Sequence, residues 1–275
     1  MDYNSYLPQF YTRLTNARKS ENTIRSYRTS LAHFFPNGDV CLDPQYIESK
    51  LSELSHLSAN SLKTKLAPLA EFIKYINRYT PVPHFEDLLE ITRSIKREEV
   101  IPDTITKEQF EAILGTTDNL RDKAMVKLLG TSGCRVSELV NLKTVDLKDD
   151  YMIARDTKNG KDRKVYLPKC TVELLQKYIS VFQPKEYLFV PVKGSKPNIS
   201  EDAVRLMLRT IGDKLRLHLH PHSFRRYYAT TQAAAGVSVN VLQKNLGHSS
   251  PLMSIHYVET VGEDQRKSAE VFEED

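Results

Sequence analysis

Apolar residues recur at three- and four-residue intervals through much of the first 95 positions, the spacing that lines one face of an α-helix. In SENTIRSYRTSLAHFF, Thr23, Tyr27, Leu31 and Phe34 share such a face, Ser20 stands at the N-cap, and Pro36 and Gly38 end the run. A second run follows Pro44 with Ile47, Leu51 and Leu54, and a third starts near Ser58 and carries Leu62, Leu66, Leu69, Phe72 and Ile76. Pro81 and Pro83 interrupt the pattern. A short helix is predicted over 85–95, ahead of the charged stretch SIKREEVIPD, which reads as a linker. The pattern therefore predicts a helical domain at 1–96, a linker at 97–104 and a second domain at 105–275.

In the second domain Thr106 caps a helix through Leu114, and Asp118 or Asn119 starts another that reaches Leu129. Gly133-Cys134-Arg135 precedes the short helical stretch VSELVNL. Beyond Asp146 the period drops to two, in YMIAR and again in RKVYLP, and Asn159-Gly160 between them signals a β-hairpin. Helical spacing then returns. Pro221 fits the first turn of SFRRYYATTQAAA, with Gly236 as its stop, and Ser238 opens VNVLQKNL, which Gly247 ends. Ser249 or Ser250 with Pro251 opens a last short helix that carries Tyr257.

Composition narrows the class without naming a task. With 275 residues, 40% hydrophobic and 27% charged, the chain has the make-up of a soluble globular protein large enough for two cores. A net charge of +4 does not by itself argue for a nucleic-acid partner. The distribution says more: Lys and Arg cluster around 155–169 and 205–226, whereas Glu263, Asp264, Glu270, Glu273, Glu274 and Asp275 make the end acidic. Three scattered cysteines, Cys41, Cys134 and Cys170, argue against a disulfide framework or a zinc ribbon and fit a reducing compartment. No apolar signal-peptide region opens the chain, and no apolar run nears the roughly 18 residues of a membrane span. A cytoplasmic protein with no membrane partner is expected.

Six residues carry candidate chemistry: Arg135, Lys158, His222, Arg225, His248 and Tyr257. Each has a plain structural reading beside the functional one. Arg135 with Glu138 makes a surface helix pair, or a phosphate ligand. Lys158, just before the Asn-Gly turn, is a solvated charge or a cation carried to a phosphate on a mobile tip, and Lys161 and Lys164 are neighbours that could substitute. His222 and Arg225 lie three apart on one helix face, whereas Arg226 points about 100° away. The alternation of His218, His220 and His222 invites a metal site, but no carboxylate or cysteine ligand accompanies it. His248 at a helix end answers the helix dipole or donates to a phosphate oxygen. Tyr257 is one of 14 tyrosines, with His256 as a neighbour. Together the set suits holding a phosphodiester while a tyrosine attacks it, because arginine forks match the charge spread over the phosphoryl oxygens.

The order Arg, Lys, His-x-x-Arg, His, Tyr resembles the tyrosine recombinase family of phage integrases and Xer proteins. GCRVSEL is similar to its first arginine box, HPHSFRRYYAT to its His-x-x-Arg box, and LGHSSPLMSIHYVE to its Leu-Gly-His box with the nucleophile nine residues on. SENTIRSYRTSLAHF and SANSLKTKLAPLAEFIKYI resemble its core-binding helices. The resemblance implies a mainly α fold: a helical SAM-like core-binding domain, then an α-rich catalytic domain with a small antiparallel β-sheet. It implies that Arg135 and Arg225 clamp the scissile phosphate and that Lys158 protonates the 5′-hydroxyl leaving group. His222 then assists the tyrosine, His248 donates to a nonbridging oxygen, and Tyr257 forms a 3′-phosphotyrosyl intermediate. No metal and no cofactor is implied, and the partners are double-stranded DNA and a homo-tetramer on two paired sites. With 19 residues ahead of Ser20, a two-domain protein of the Xer type is expected rather than one with an arm-binding domain. A type IB topoisomerase-like enzyme and a DNA-binding protein that has lost catalysis are the competing readings; the latter would typically lack Tyr257 or an arginine.

Overall fold

The structure, a computed structural model, describes residues 2–96, 98, 104–155, 162–191, 196–248, 250 and 254–255. The chain divides into two compact units, Met1–Ile101 and Pro102–Asp275. Lys158, Tyr257, the Asn159-Gly160 turn, most of the predicted linker and the acidic end lie outside the described residues.

The first unit is helical: α1 (Tyr6–Asn16), α2 (Glu21–Phe34), α3 (Pro44–Ser52), α4 (Ala59–Asn77) and α5 (Phe85–Arg93). Ser20, Asp43 and Ser58 cap α2, α3 and α4, each side chain accepting a backbone N–H from the first turn. The residues ahead of Ser20 are more than a lead-in, because α1 sends Leu7, Phe10 and Leu14 into the core at helical spacing. There Phe10 meets Phe72 and Tyr75 with ring centroids 5.3 Å apart in each case. Pro68 lies inside α4 and is buried; burial of seven side chains along this helix outweighs the loss of one backbone donor.

The second unit is built around one central helix. Its elements are α6 (Lys107–Thr116), α7 (Leu120–Ser132), α8 (Val136–Val140), strands β1 (Tyr151–Ala154) and β2 (Arg163–Tyr166), and then α9 (Lys169–Phe182), α10 (Glu201–Leu215), α11 (Pro221–Ala234) and α12 (Val239–Leu246). Thr106 and Gln109 form a capping box at α6, and Asn119 caps α7. Burial on α7 runs round the helix (Ala124, Met125, Val126, Leu128, Leu129, Gly130), as its packing against α6, α9 and α11 requires. The sheet is a single antiparallel pair with Tyr151 opposite Tyr166 and Ala154 opposite Arg163, which leaves 155–162 to connect the strands. One root of that connection is anchored: Arg155 grips the buried Asp146 through Nε and Nη2, and Asp146 also accepts the Lys143 N–H.

The junction between α7 and α8 fixes where Arg135 stands. Gly133 ends α7 in the left-handed region, at φ 61°, and a Cβ there would come within 2.5 Å of Tyr228 Cδ1. Only glycine meets both demands. Gly133→Ala is therefore expected to cost about 2–4 kcal/mol from backbone strain and crowding together. Chemical denaturation followed by circular dichroism measures this, and a change within about 0.5 kcal/mol of the parent contradicts it.

Candidate active site

Any α-helix ends with carbonyls that have no partner inside the helix and with a partial negative charge. At the end of α12 arginines from three different segments fill that role. Arg163 on β2 donates through Nε to Asn245 O at 2.8 Å. Arg225 on α11 donates to Leu246 O at 2.5 Å, and Arg135 at the start of α8 donates to Gly247 O at 2.8 Å. Arg225 is buried and also donates through Nη1 to Gly133 O at 2.7 Å, so one guanidinium joins the ends of α7 and α12. Gly247 takes φ 62°, and a Cβ there would sit 3.1 Å from Arg163 Nη1.

Glu138 holds this group of cations together. Its carboxylate accepts the Arg135 backbone N–H at 2.7 Å and Arg135 Nη1 at 3.0 Å. It also takes a two-pronged contact from Arg163, at 2.5 and 2.8 Å. The Glu138 side chain is only 3% exposed, which corrects the reading of Arg135–Glu138 as a surface pair. Burial by itself raises the carboxyl pKa; the hydrogen bonds and charges of Arg163, then Arg135, overcome it and hold Glu138 below the usual range. Three guanidiniums against one carboxylate leave a local charge of +2.

The two histidines stand in this positive field. His248 is buried, directly after Gly247, and its Nδ1 lies 2.8 Å from Ser254 Oγ. Burial first, then the charges of Arg225, Arg135 and Arg163, lower its pKa to about 4. His222 is exposed, three residues before Arg225, and is also lowered, by desolvation and then by Arg225, Arg226 and Arg135. Both rings are neutral near pH 7. His220 serves the fold: its Nδ1 accepts the Ser223 N–H at 3.2 Å and caps α11. Among the described residues no group of His, Cys, Asp and Glu could hold a metal ion.

Four of the six candidates are described: Arg135, Arg225 and His248 come together at the end of α12, and His222, exposed at the start of α11, lies within the influence of the Arg225 and Arg135 charges. Lys164, an alternative to Lys158, sits within β2 with its ammonium 4.9 Å from the centre of the Tyr151 ring. Arg163 and Ser254 are the residues that sequence reasoning missed. For Arg163 a signal existed, because strand alternation puts it on the same face as the fully buried Val165 and opposite to Lys164 and Tyr166. Ser254 had no such signal.

The profile of the phage integrase family matches residues 103–262, more than half of the chain. The chain belongs to the phage integrase family. It is a tyrosine recombinase of the Xer type, a DNA strand-transferring enzyme. It is 31% identical over 253 residues to tyrosine recombinase XerA of Pyrococcus horikoshii, a match over 89% of this chain and 85% of that one. Against XerA of Thermococcus kodakarensis the identity is 30% over 274 residues, 97% of this chain and 95% of the relative. Among solved structures, a lambda integrase tetramer bound to a Holliday junction shares the fold at a TM-score of 0.79 and 18% identity. That match covers 96% of this chain and 79% of the integrase.

The two histidines make stability depend on pH with a definite sign. His248 titrates near 6.5 when unfolded and near 4 when folded, so between these values the unfolded recombinase binds more protons. Stability is therefore greatest above about 6.5 and falls as pH drops toward 4, with His222 and His220 contributing in the same direction. Melting temperatures at a series of pH values are expected to show this decline, and His248→Asn to make it shallower. An equally steep decline in the variant would exclude His248 as its source.

Proposed function

We propose that this recombinase cuts and rejoins DNA at specific sites through a 3′-phosphotyrosyl intermediate, with Tyr257 as nucleophile. The observation that supports the assignment of roles is the meeting of Arg135, Arg225 and His248 at the end of α12, with His222 one turn before Arg225 and under the same positive charge. Arg135 and Arg225 bind the nonbridging oxygens of the scissile phosphate, each steadied on a helix-end carbonyl. His222, its pKa lowered by partial desolvation and then by nearby arginines, accepts the proton of the Tyr257 hydroxyl. As the tyrosine oxygen bonds to phosphorus, the bond to the 5′-oxygen breaks, and Lys158 gives that oxygen its proton. With Nδ1 engaged by Ser254, His248 turns Nε2 toward a nonbridging oxygen. A 5′-hydroxyl from the exchanged strand then attacks the phosphotyrosine and the proton transfers reverse. The number of phosphate ester bonds is conserved, so the exchange needs no separate energy source.

On this reading the protein acts in the cytoplasm on double-stranded DNA, as a homo-tetramer that pairs two sites. Similarity to the integrase tetramer on a Holliday junction supports that assembly. The helical unit Met1–Ile101 supplies core-site contacts, and phosphate contacts make the affinity salt-dependent.

Covalent trapping on nicked suicide duplexes, built from pooled DNA of the flanking genomic loci, tests the assignment. The parent is expected to form a protease-sensitive protein–DNA adduct, and Tyr257→Phe to bind without forming one. Arg225→Ala is expected to slow adduct formation by about 10²–10³-fold. Tight binding by the parent with no adduct would make this a DNA-binding protein, and an adduct in Tyr257→Phe would move the nucleophile to another residue.

A further inference from the structure

We infer that Arg163 is a positioning residue for protonation of the leaving group: it locks the hairpin that carries Lys158 to the residues around the scissile phosphate. The inference rests on the reading of Lys158 as the general acid. Arg163 opens β2, five residues beyond Lys158, and faces inward with Val165. Its side chain is 11% exposed and, among the described residues, donates to both oxygens of Glu138 and to Asn245 O. Those partners belong to the two segments that carry the phosphate ligands, because Glu138 also holds Arg135, and Asn245 directly precedes the carbonyls that hold Arg225 and Arg135. Arg163 also packs against the backbone at Gly247, next to His248.

The other end of the connecting segment is fixed elsewhere. Arg155 binds Asp146, which ties that root to the 144–146 turn rather than to the arginine cluster. The bonds of Arg135 and Arg225 to Gly247, Gly133 and Leu246 do not run through Arg163. Loss of the Arg163 fork therefore falls first on the hairpin and its lysine, and reaches Arg135 only through Glu138. Glu138 satisfies much of the Arg163 guanidinium and neutralises its charge, which suits a strut better than a phosphate ligand. Lysine at this position keeps the charge opposite Glu138 but loses the planar fork and the rigid third donor.

The test uses the duplex recovered by covalent trapping, made with either oxygen or sulfur at the bridging 5′ position of the scissile phosphate. A thiolate leaves without a proton, so a defect in acid catalysis disappears on the sulfur substrate. Arg163→Lys is expected to slow cleavage of the oxygen substrate about 10–100-fold, with DNA binding unchanged in gel shifts. On the sulfur substrate it is expected to come within about threefold of the parent, as Lys158→Ala is. Combining both substitutions is expected to be no slower on oxygen than Lys158→Ala alone. An equal defect on both substrates, or additive defects in the double variant, would overturn the inference and place Arg163 with the phosphate ligands or the core. Failure of sulfur to rescue Lys158→Ala would instead refute the general-acid reading, a result seen without any change at Arg163, and the inference would fall with it. If Arg163→Lys loses its thermal transition, Arg163→Gln is compared in the same way; failure of both to fold makes Arg163 a core residue and overturns the proposal.

Discussion

The end of α12 needs donors, and meeting that need places the rest of the site. Asn245, Leu246 and Gly247 present carbonyls that the helix itself cannot satisfy, and Arg163, Arg225 and Arg135 supply the donors. These side chains come from β2, α11 and the start of α8, segments far apart in sequence. A helix end is thus the common anchor for most of the cationic groups. Gly247 is required there, because a side chain would crowd Arg163 while the backbone lies in the left-handed region. Gly133 has the matching role at the end of α7, where Arg225 takes its carbonyl.

Burying guanidiniums so close together carries a desolvation and repulsion penalty that neutral carbonyls offset only in part. Glu138 is the counterweight. It stays ionised despite burial because the arginines favour its charged form, and they are held together because it is ionised. Desolvation first, and then the excess cations, keep the imidazoles neutral near pH 7. A neutral histidine can take a proton from a tyrosine or offer its one N–H to a phosphate oxygen, without adding to the repulsion. The charge balance that steadies the fold also sets the protonation states that the chemistry calls for.

Much of this architecture was legible in the chain. Ser20, Ser58, Thr106 and Asn119 stand where helices begin, and the change of period beyond Asp146 marks the two strands. Boxes such as GCRVSEL and HPHSFRRYYAT named the residues that meet at α12. Side-chain burial was less legible. Arg135 and Glu138 at a spacing of three read as a surface pair, because a single segment does not reveal that β2 closes over it. The first helix was passed over because three short apolar positions, Leu7, Phe10 and Leu14, gain meaning only against Phe72 and Tyr75 of α4. Pro68 shows the reverse case, in which packing overrides a residue that ordinarily breaks a helix.

Glu138 gives the first arginine box a second meaning. In GCRVSEL the arginine and the glutamate lie three apart, the spacing at which an N3 carboxylate reaches back to the N-cap backbone. The same carboxylate then accepts Arg135 Nη1, so a local capping contact also aims the Arg135 guanidinium. A helix of only five residues would be a weak support by itself. Arg163 adds two further bonds to Glu138 from the neighbouring strand, and the short helix becomes rigid through tertiary contacts rather than through its own length. The placing of Arg135 therefore depends on Glu138 and Arg163 together, and the root of β2 belongs to the same braced unit.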